Sequence, residues 1–294
     1  MTPAEGAAET HRGWEAIVDL ALAEDIGTGD ITTLATVPAT ATASGVLVAK
    51  SPGVISGIDV ARFVFHRVDR SIAFDAFVKD GDPVAAGVEL GRVSGPARSL
   101  LTAERTALNL IQRLSGVATT TARYVAETVG AKSRIVDTRK TTPGLRLLEK
   151  QAVAHGGGRN HRFGLADGVL IKDNHLAAIG GADRVTLAIA HARDRAPHTL
   201  RIEIEVTTLE QFTEALAADA DIVLLDNMDT PAMAAAVEQR NCGDHRTLLE
   251  ASGGITLGRI REIAATGVDF ISVGALTHSA PALDISLDLD LDAH

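Results

Sequence analysis

From about Gly116 onward the chain repeats one theme: a short apolar run that closes on a polar residue or glycine, a helical stretch, then the next run. The runs are Ile135-Val136-Asp137, Val169 to Lys172, Ile202 to Val206, Ile222 to Asp226, Leu248 to Ser252 and Phe270 to Gly274. Thr142-Pro143, Thr208 with Gln211, and Thr230-Pro231 carry helix-start signals, and Gly267 ends the helix begun after Thr256. Strand and helix in strict alternation, joined by right-handed crossovers, give an open doubly wound sheet or a (β/α) barrel. The barrel is the better reading. Asp137, Lys172, Glu205, Asp226, Ser252 and Gly274 each fall at or near the end of a different run, which a barrel gathers around one mouth. Six runs fall short of a full barrel's eight, so an open, incomplete barrel is expected.

The preceding residues read as an α+β lobe, with a helix around Trp14 to Leu22, strand-like stretches at Gly45 to Lys50 and Ile72 to Val78, and turns such as Lys79-Asp80-Gly81-Asp82-Pro83. Near the other end Leu283, Ile285, Leu287, Leu289 and Leu291 alternate with Asp284, Ser286, Asp288, Asp290 and Asp292, the period of a half-buried strand returning to that lobe. The expected fold class is therefore α/β: an α+β lobe over 1–116 joined by a strand from 280–294, and an open barrel over 117–279. Aliphatic composition suits this. Hydrophobic residues are 46% of the chain but aromatics only 3%, as in parallel strands under Ala-rich helices.

Charge narrows the function. Asp137 to His175 holds seven cations (Arg139, Lys140, Arg146, Lys150, Arg159, Arg162, Lys172) against four acids, +3 in a chain of net charge -10. A positive island in an acidic protein suits capture of a small polyanion, rich in phosphate or carboxylate. The acidic balance, single Trp14 and single Tyr124 argue against nucleic acid. Lone Cys242 excludes an internal disulfide, and no apolar run approaches bilayer length, so a soluble protein of the cytoplasm is expected.

Arg139, His161, Arg162 and Lys172 are candidate anion ligands, with Gly156-Gly157-Gly158 allowing the chain between them to approach closely. Glu205 and Asp226 end apolar strands, where carboxylates can hold a ribose hydroxyl or hydrated Mg²⁺, or simply neutralise nearby cations; strand parity puts Glu203 on the same face as Glu205, and either suits. Ser252-Gly253-Gly254, opening a helix, and Val273-Gly274-Ala275 offer backbone amides as a phosphate cradle. Arg105 lies beside a helical stripe of Leu101, Leu108 and Ile111; it could pair with Glu104 or Glu127, or serve a ligand. His155, His161 and His175 lack zinc-site spacing, and the Asp80 to Val84 hairpin lacks a carrier lysine. Lys172 could instead form a Schiff base in an aldolase-like barrel, and a non-catalytic anion sensor is a third reading.

Together these residues resemble the quinolinate phosphoribosyltransferase family. The likeness runs through Glu24-Asp25, Gly29-Asp30-Ile31-Thr32-Thr33, Thr102-Ala103-Glu104-Arg105 with Leu108-Asn109, Asp137-Thr138-Arg139-Lys140-Thr141-Thr142-Pro143-Gly144 and Lys172-Asp173-Asn174-His175. It continues in Ile204-Glu205-Val206, Leu224-Leu225-Asp226-Asn227, Glu250 to Gly254 and Ser272-Val273-Gly274. The resemblance implies a homodimer with shared active sites. Arg105 of a neighbouring subunit, with Thr138, Arg139, His161, Arg162 and Lys172, would bind quinolinate; Lys140 and Lys172 would face phosphoribosyl diphosphate. It also implies Mg²⁺ and ribose at Glu205 and Asp226, and the 5-phosphate on the two glycine turns.

Overall fold

The computed structural model describes residues 13–243 and 245–291; Asp292 and the rest of the expected terminal strand lie outside them. In chain order the strands are β1 (Thr42–Ala49), β2 (Gly53–Val54), β3 (Ala73–Ala76), β4 (Pro83–Val84), β5 (Glu89–Pro96), β6 (Arg134–Val136), β7 (Val169–Ile171), β8 (Ile202–Val206), β9 (Ile222–Asp226), β10 (Leu248–Ser252), β11 (Phe270–Ser272) and β12 (Ile285–Leu291). Two compact units divide the chain: residues 1–116 with 143–148 and 282–294, and residues 117–142 with 149–281. The division falls within one 30-residue helix, Ala97–Ala126.

The first unit is built on an antiparallel sheet ordered β12-β1-β5-β3. In β1 the burial alternates, with Ala43, Gly45, Leu47 and Ala49 turned inward. The Leu/Asp alternation near the chain end pairs with it as expected, Leu287 opposite Leu47 and Asp288 opposite Val46. Helix Ile58–Val68 buries Val60, Ala61, Val64 and Phe65. Its first amides are capped from a distance: Asp80 accepts from Gly57 N (2.8 Å) and Ile58 N (2.9 Å), which gives the Asp80 turn a structural task. Asp30 caps helix Ile31–Thr36 through Thr33 N at 3.0 Å and receives the Thr102 hydroxyl at 3.2 Å.

The second unit is a six-stranded all-parallel sheet ordered β6-β11-β10-β9-β8-β7. That is sequence order taken around a ring and left open between β6 and β7, an incomplete barrel. The seam is partly lined by the chain after the glycine run, where Arg159 bridges to Val136 and Asp137 N donates to Arg159 O at 3.1 Å. Gly156 and Gly158 pack against Thr121 so tightly that an added Cβ would lie 2.7 Å from its side chain, so these glycines serve packing against the long helix.

Register sorts the side chains into two faces. Ile135, Ile204, Val206, Val223, Leu225, Leu249, Ala251 and Ile271 share one face and are at most 2% exposed. This is the main apolar core, each fully buried Val, Leu or Ile contributing about 1.5–3 kcal/mol. Glu203, Glu205, Asp226, Glu250, Ser252 and Ser272 share the other. The parity reading of Glu203 and Glu205 holds.

Several helix starts differ from expectation. Thr142-Pro143 does not open a helix; the helix is Arg146–His155, while Thr142 donates its amide (2.9 Å) and hydroxyl (2.7 Å) to Glu149. Asp229, not Thr230, is the N-cap of Thr230–Cys242, accepting from Ala232 N at 2.9 Å. Thr208 caps Gln211 N, but Gln211 returns its bond to Thr207 N at 2.9 Å rather than to Thr208.

Candidate active site

The strand tips build a ring of polar groups. Lys172, following β7, donates to Glu205 on β8 in a close ion pair. Glu205 lies beside Leu224, so Asp226 stands two residues further along the same face; it pairs in register with Ser252 and accepts from Asn227 Nδ2 at 2.7 Å. Asn227, at φ 54°, folds over Gly253: its amide donates to Ser252 O at 2.9 Å, and its Oδ1 would be 2.3 Å from a Cβ at Gly253. Only glycine leaves that space. The Lys140 stem packs on Gly274, 3.0 Å from where a Cβ would sit, and Thr277 Oγ1 donates to Lys140 O at 2.8 Å. Thr138 Oγ1 accepts from Lys140 N at 3.0 Å. Thus β7 through β11 and the segment after β6 meet around one rim.

The glycine turns differ in detail from expectation. Ser252-Gly253-Gly254 leads through Ile255 and Thr256 before the 3₁₀ turn Leu257–Arg259, so it does not itself open a helix. Gly274 does cap a short helix, Ala275–His278, after Val273.

Beside the seam lie the guanidiniums. Burial, and then the positive charge of Arg139, lower the pKa of Arg162; Nη1 of Arg162 donates to Gly168 O at 3.0 Å and its Nε is buried without a hydrogen-bond partner among the described residues. Two neighbouring guanidiniums with an unspent donor suit an oxyanion.

Two members of the positive island belong elsewhere. Asp137 and Lys150 are both 0% exposed and paired with each other; Lys150 Nζ also donates to His161 O (2.9 Å), and Asp137 accepts from His161 N (2.8 Å). They brace the seam from behind, and Asp137 does not join the rim. Burial raises the Asp137 pKa, against the opposing pull of Lys150 and His161.

Beneath the rim His161 meets two acids. Its Nε2 is 3.0 Å from Glu203 Oε2 and 3.7 Å from Glu250 Oε2, and its Nδ1 accepts from Arg162 N at 2.8 Å. Burial alone would lower the His161 pKa, but Glu203 and Glu250 outweigh it and raise it. Glu250 is pushed up to about 8, first by burial and then by Glu203. A cavity of about 310 Å³ adjoins this cluster, lined in part by Asn160, His161, Arg162, Glu203 and Glu250. A cleft of about 440 Å³ runs past Arg162, Leu165, Val169 and His175, and neither cavity reaches Asp226 or Gly274. Glu250 was missed as a site residue, although its parity with Ser252 marks it as inward.

In the first unit Arg105 is exposed on the long helix and makes no ion pair with Glu104 or Glu127 among the described residues; Glu127 pairs with Arg261 at 3.0 Å. The local pairing considered for it is not formed.

An open parallel barrel with cations and carboxylates at its strand tips defines an enzyme of the anion-binding (β/α)-barrel class. The family models for the quinolinate phosphoribosyl transferase N-terminal and C-terminal domains match residues 30–115 and 117–288. The nicotinate-nucleotide pyrophosphorylase [carboxylating] of Mycobacterium leprae is 48% identical over 275 residues, 92% of this chain and 94% of the relative. A solved structure of NadC from Streptococcus pyogenes superposes with a TM-score of 0.91 at 40% identity, covering 98% of this chain and 100% of its own; the Francisella tularensis nicotinate-nucleotide pyrophosphorylase gives 0.88 at 38%, covering 97% and 99%. The chain belongs to the quinolinate phosphoribosyltransferase family.

Proposed function

We propose that the rim carries the family reaction as follows. The protein transfers the phosphoribosyl group of phosphoribosyl diphosphate to quinolinate and releases carbon dioxide, giving nicotinate mononucleotide and diphosphate in de novo NAD biosynthesis. The observation that carries this reading is the Lys172–Glu205 pair on the same barrel face as Asp226, in a unit that also sets the Arg139 and Arg162 guanidiniums close enough to repel each other.

Arg139, His161, Arg162 and Lys172, with Thr138, take the two quinolinate carboxylates, and Arg105 of a second copy completes the pocket in a homodimer with shared sites. Lys140 faces the diphosphate. Amides of Gly253, Gly254, Gly274 and Ala275, flanked by Ser252 and Val273, take the 5-phosphate. Glu205 and Asp226 are oxygen donors on adjacent strands, a set that fits Mg²⁺ retaining part of its water shell. When bound, Mg²⁺ neutralises charge on the diphosphate oxygens. Fixed cations draw off the leaving diphosphate as positive charge develops at ribose C1, and the pyridine nitrogen attacks that carbon. The ribosylated ring is then its own electron sink: the bond to the adjacent carboxylate breaks, carbon dioxide leaves, and a proton replaces it on the ring carbon.

Lys172 engaged as a cation by Glu205 suits anion capture rather than imine formation, which disfavours an aldolase-like role. We place the protein in the cytoplasm, where exposed Cys242 stays reduced. The test supplies purified protein with phosphoribosyl diphosphate, Mg²⁺ and either quinolinate or nicotinate. Nucleotide and carbon dioxide form with quinolinate; nucleotide from nicotinate alone would overturn the reading.

A further inference from the structure

Asn227 is bent where no helix end calls for it. Two non-glycine residues among the described ones have positive φ, Asp219 at 57° and Asn227 at 54°. Asp219 follows the end of helix Leu209–Ala217, where a left-handed residue commonly closes a helix. Asn227 instead follows strand β9, and its neighbours pin it there: its amide donates to Ser252 O at 2.9 Å, Met228 is buried, and Asp229 caps the next helix. On this backbone the side chain lies back across the strand tips, against Asp226 and Gly253.

The two amide atoms of the side chain serve different groups. An ionised carboxylate only accepts, so Nδ2 must face Asp226, and it donates to Oδ2 at 2.7 Å. Oδ1 is then turned to Gly253, 2.3 Å from where a Cβ would sit. Asp226 Oδ2 is held, while its Oδ1 carries no hydrogen bond among the described residues. Asn227 is exposed, so water would satisfy its amide almost as well and the bond adds little to stability. Its geometric consequence is larger. One side chain ties a carboxylate at the tip of β9 to the turn that follows β10, beyond the point where Asp226 and Ser252 pair in register.

We propose, resting on the phosphoribosyl-transfer reading, that Asn227 is a positioning residue for phosphoribosyl diphosphate: it sets the spacing between Asp226, which faces the ribose, and the Gly253 turn, which faces the 5-phosphate. Two variants separate the parts of this role. Glycine adopts φ 54° freely, so Asn227→Gly keeps the backbone and removes only the tie. Asn227→Asp keeps the shape and the oxygen over Gly253, but sets a second carboxylate against Asp226 in place of the donor.

Isothermal titration calorimetry on the whole chain tests this, with Mg²⁺ and saturating phthalate, whose two adjacent carboxylates copy quinolinate but whose ring has no nitrogen to attack the ribose. Binding is then read without turnover, and matching urea midpoints show that each variant is folded. Phosphoribosyl diphosphate binds about tenfold more weakly to Asn227→Gly than to wild type, the worth of one hydrogen bond to a charged group. Asn227→Asp loses at least as much, and the Kd for phthalate alone moves less than about twofold in either variant. Wild-type affinity for phosphoribosyl diphosphate in Asn227→Gly or in Asn227→Asp overturns the proposal, the second because the bond to Asp226 would then be idle. Equal weakening toward phthalate reduces Asn227 to general support and overturns it too. A wild-type protein that does not bind phosphoribosyl diphosphate fails the phosphoribosyl-transfer reading and this proposal with it, whereas wild-type binding with unaltered variants fails the proposal alone.

Discussion

Lys150 donates its ammonium to Asp137 with both side chains sealed from solvent, and the pair holds the His161 peptide on either side. Removing one partner strands a buried charge. Lys150→Met should cost about 3–5 kcal/mol, and the double change with Asp137→Asn should recover part of it, because the amide oxygen still accepts from His161 N. Urea denaturation of the three proteins checks this; equal stability of Lys150→Met and wild type would show that the pair is not a brace.

Lys172 differs in kind, being 44% exposed although paired with Glu205. Lys172→Ala should leave the urea midpoint unchanged within error while lowering kcat/KM for quinolinate about 10- to 100-fold, the worth of one charge-assisted contact. Carbon dioxide release and circular dichroism on the same sample separate the two effects.

Gly253 and Gly144 make a matched pair for backbone strain. Both have positive φ, 88° and 83°, but a Cβ at Gly253 meets Asn227 Oδ1 at 2.3 Å while one at Gly144 meets nothing within 4 Å. Gly253→Ala should cost about 2–3 kcal/mol and Gly144→Ala about 1 kcal/mol. Losses of similar size would mean that Asn227 moves aside freely.

Much of the barrel was legible in the chain. Ile202–Val206, Ile222–Asp226 and Leu248–Ser252 form strands over the residues expected. The other three runs end one or two residues earlier than expected, before Asp137, Lys172 and Gly274, because the strands stop at Val136, Ile171 and Ser272 and the polar or glycine residue closing each run belongs to the loop. Charge was harder. Lys150 counts toward the positive island like Lys172, and nothing in one dimension distinguishes a lysine that faces a ligand from one buried on Asp137. Likewise Thr142-Pro143 has the letters of a helix start, but Glu149 from the following helix claims the Thr142 amide and hydroxyl.

Stability should vary with pH through Glu250. Its pKa near 8, set first by burial and then by Glu203 against the pull of His161, Ser272 and Lys172, lies above the ordinary carboxyl value of 4.5. Between those values the folded protein holds a proton that the unfolded chain has released, so stability falls as pH rises from 5 to 8, by at most about 1.4 kcal/mol per unit for one proton. His161, raised from 6.5, adds loss in the same direction as pH passes its folded value. Glu250→Gln should flatten the trend in urea unfolding; an unchanged slope would place the proton elsewhere.

Arg105 on the first unit tests the shared-site dimer. Mixing inactive Arg105→Ala and Lys172→Ala proteins under subunit exchange should restore about a quarter of wild-type activity, since half the dimers are hybrids and each has one intact site. No recovery despite proven exchange would assign Arg105 a role within its own chain.

Strand β12 seats against β1, at the opposite end of the first sheet from β3. A ribosome delivers β1, β3 and β5 early but β12 only after every barrel strand has emerged. The lobe made first is thus finished last, and a nascent chain exposes the hydrogen-bonding edge of β1 throughout barrel synthesis, an interval in which a chaperone or a neighbouring nascent chain can occupy the vacant edge.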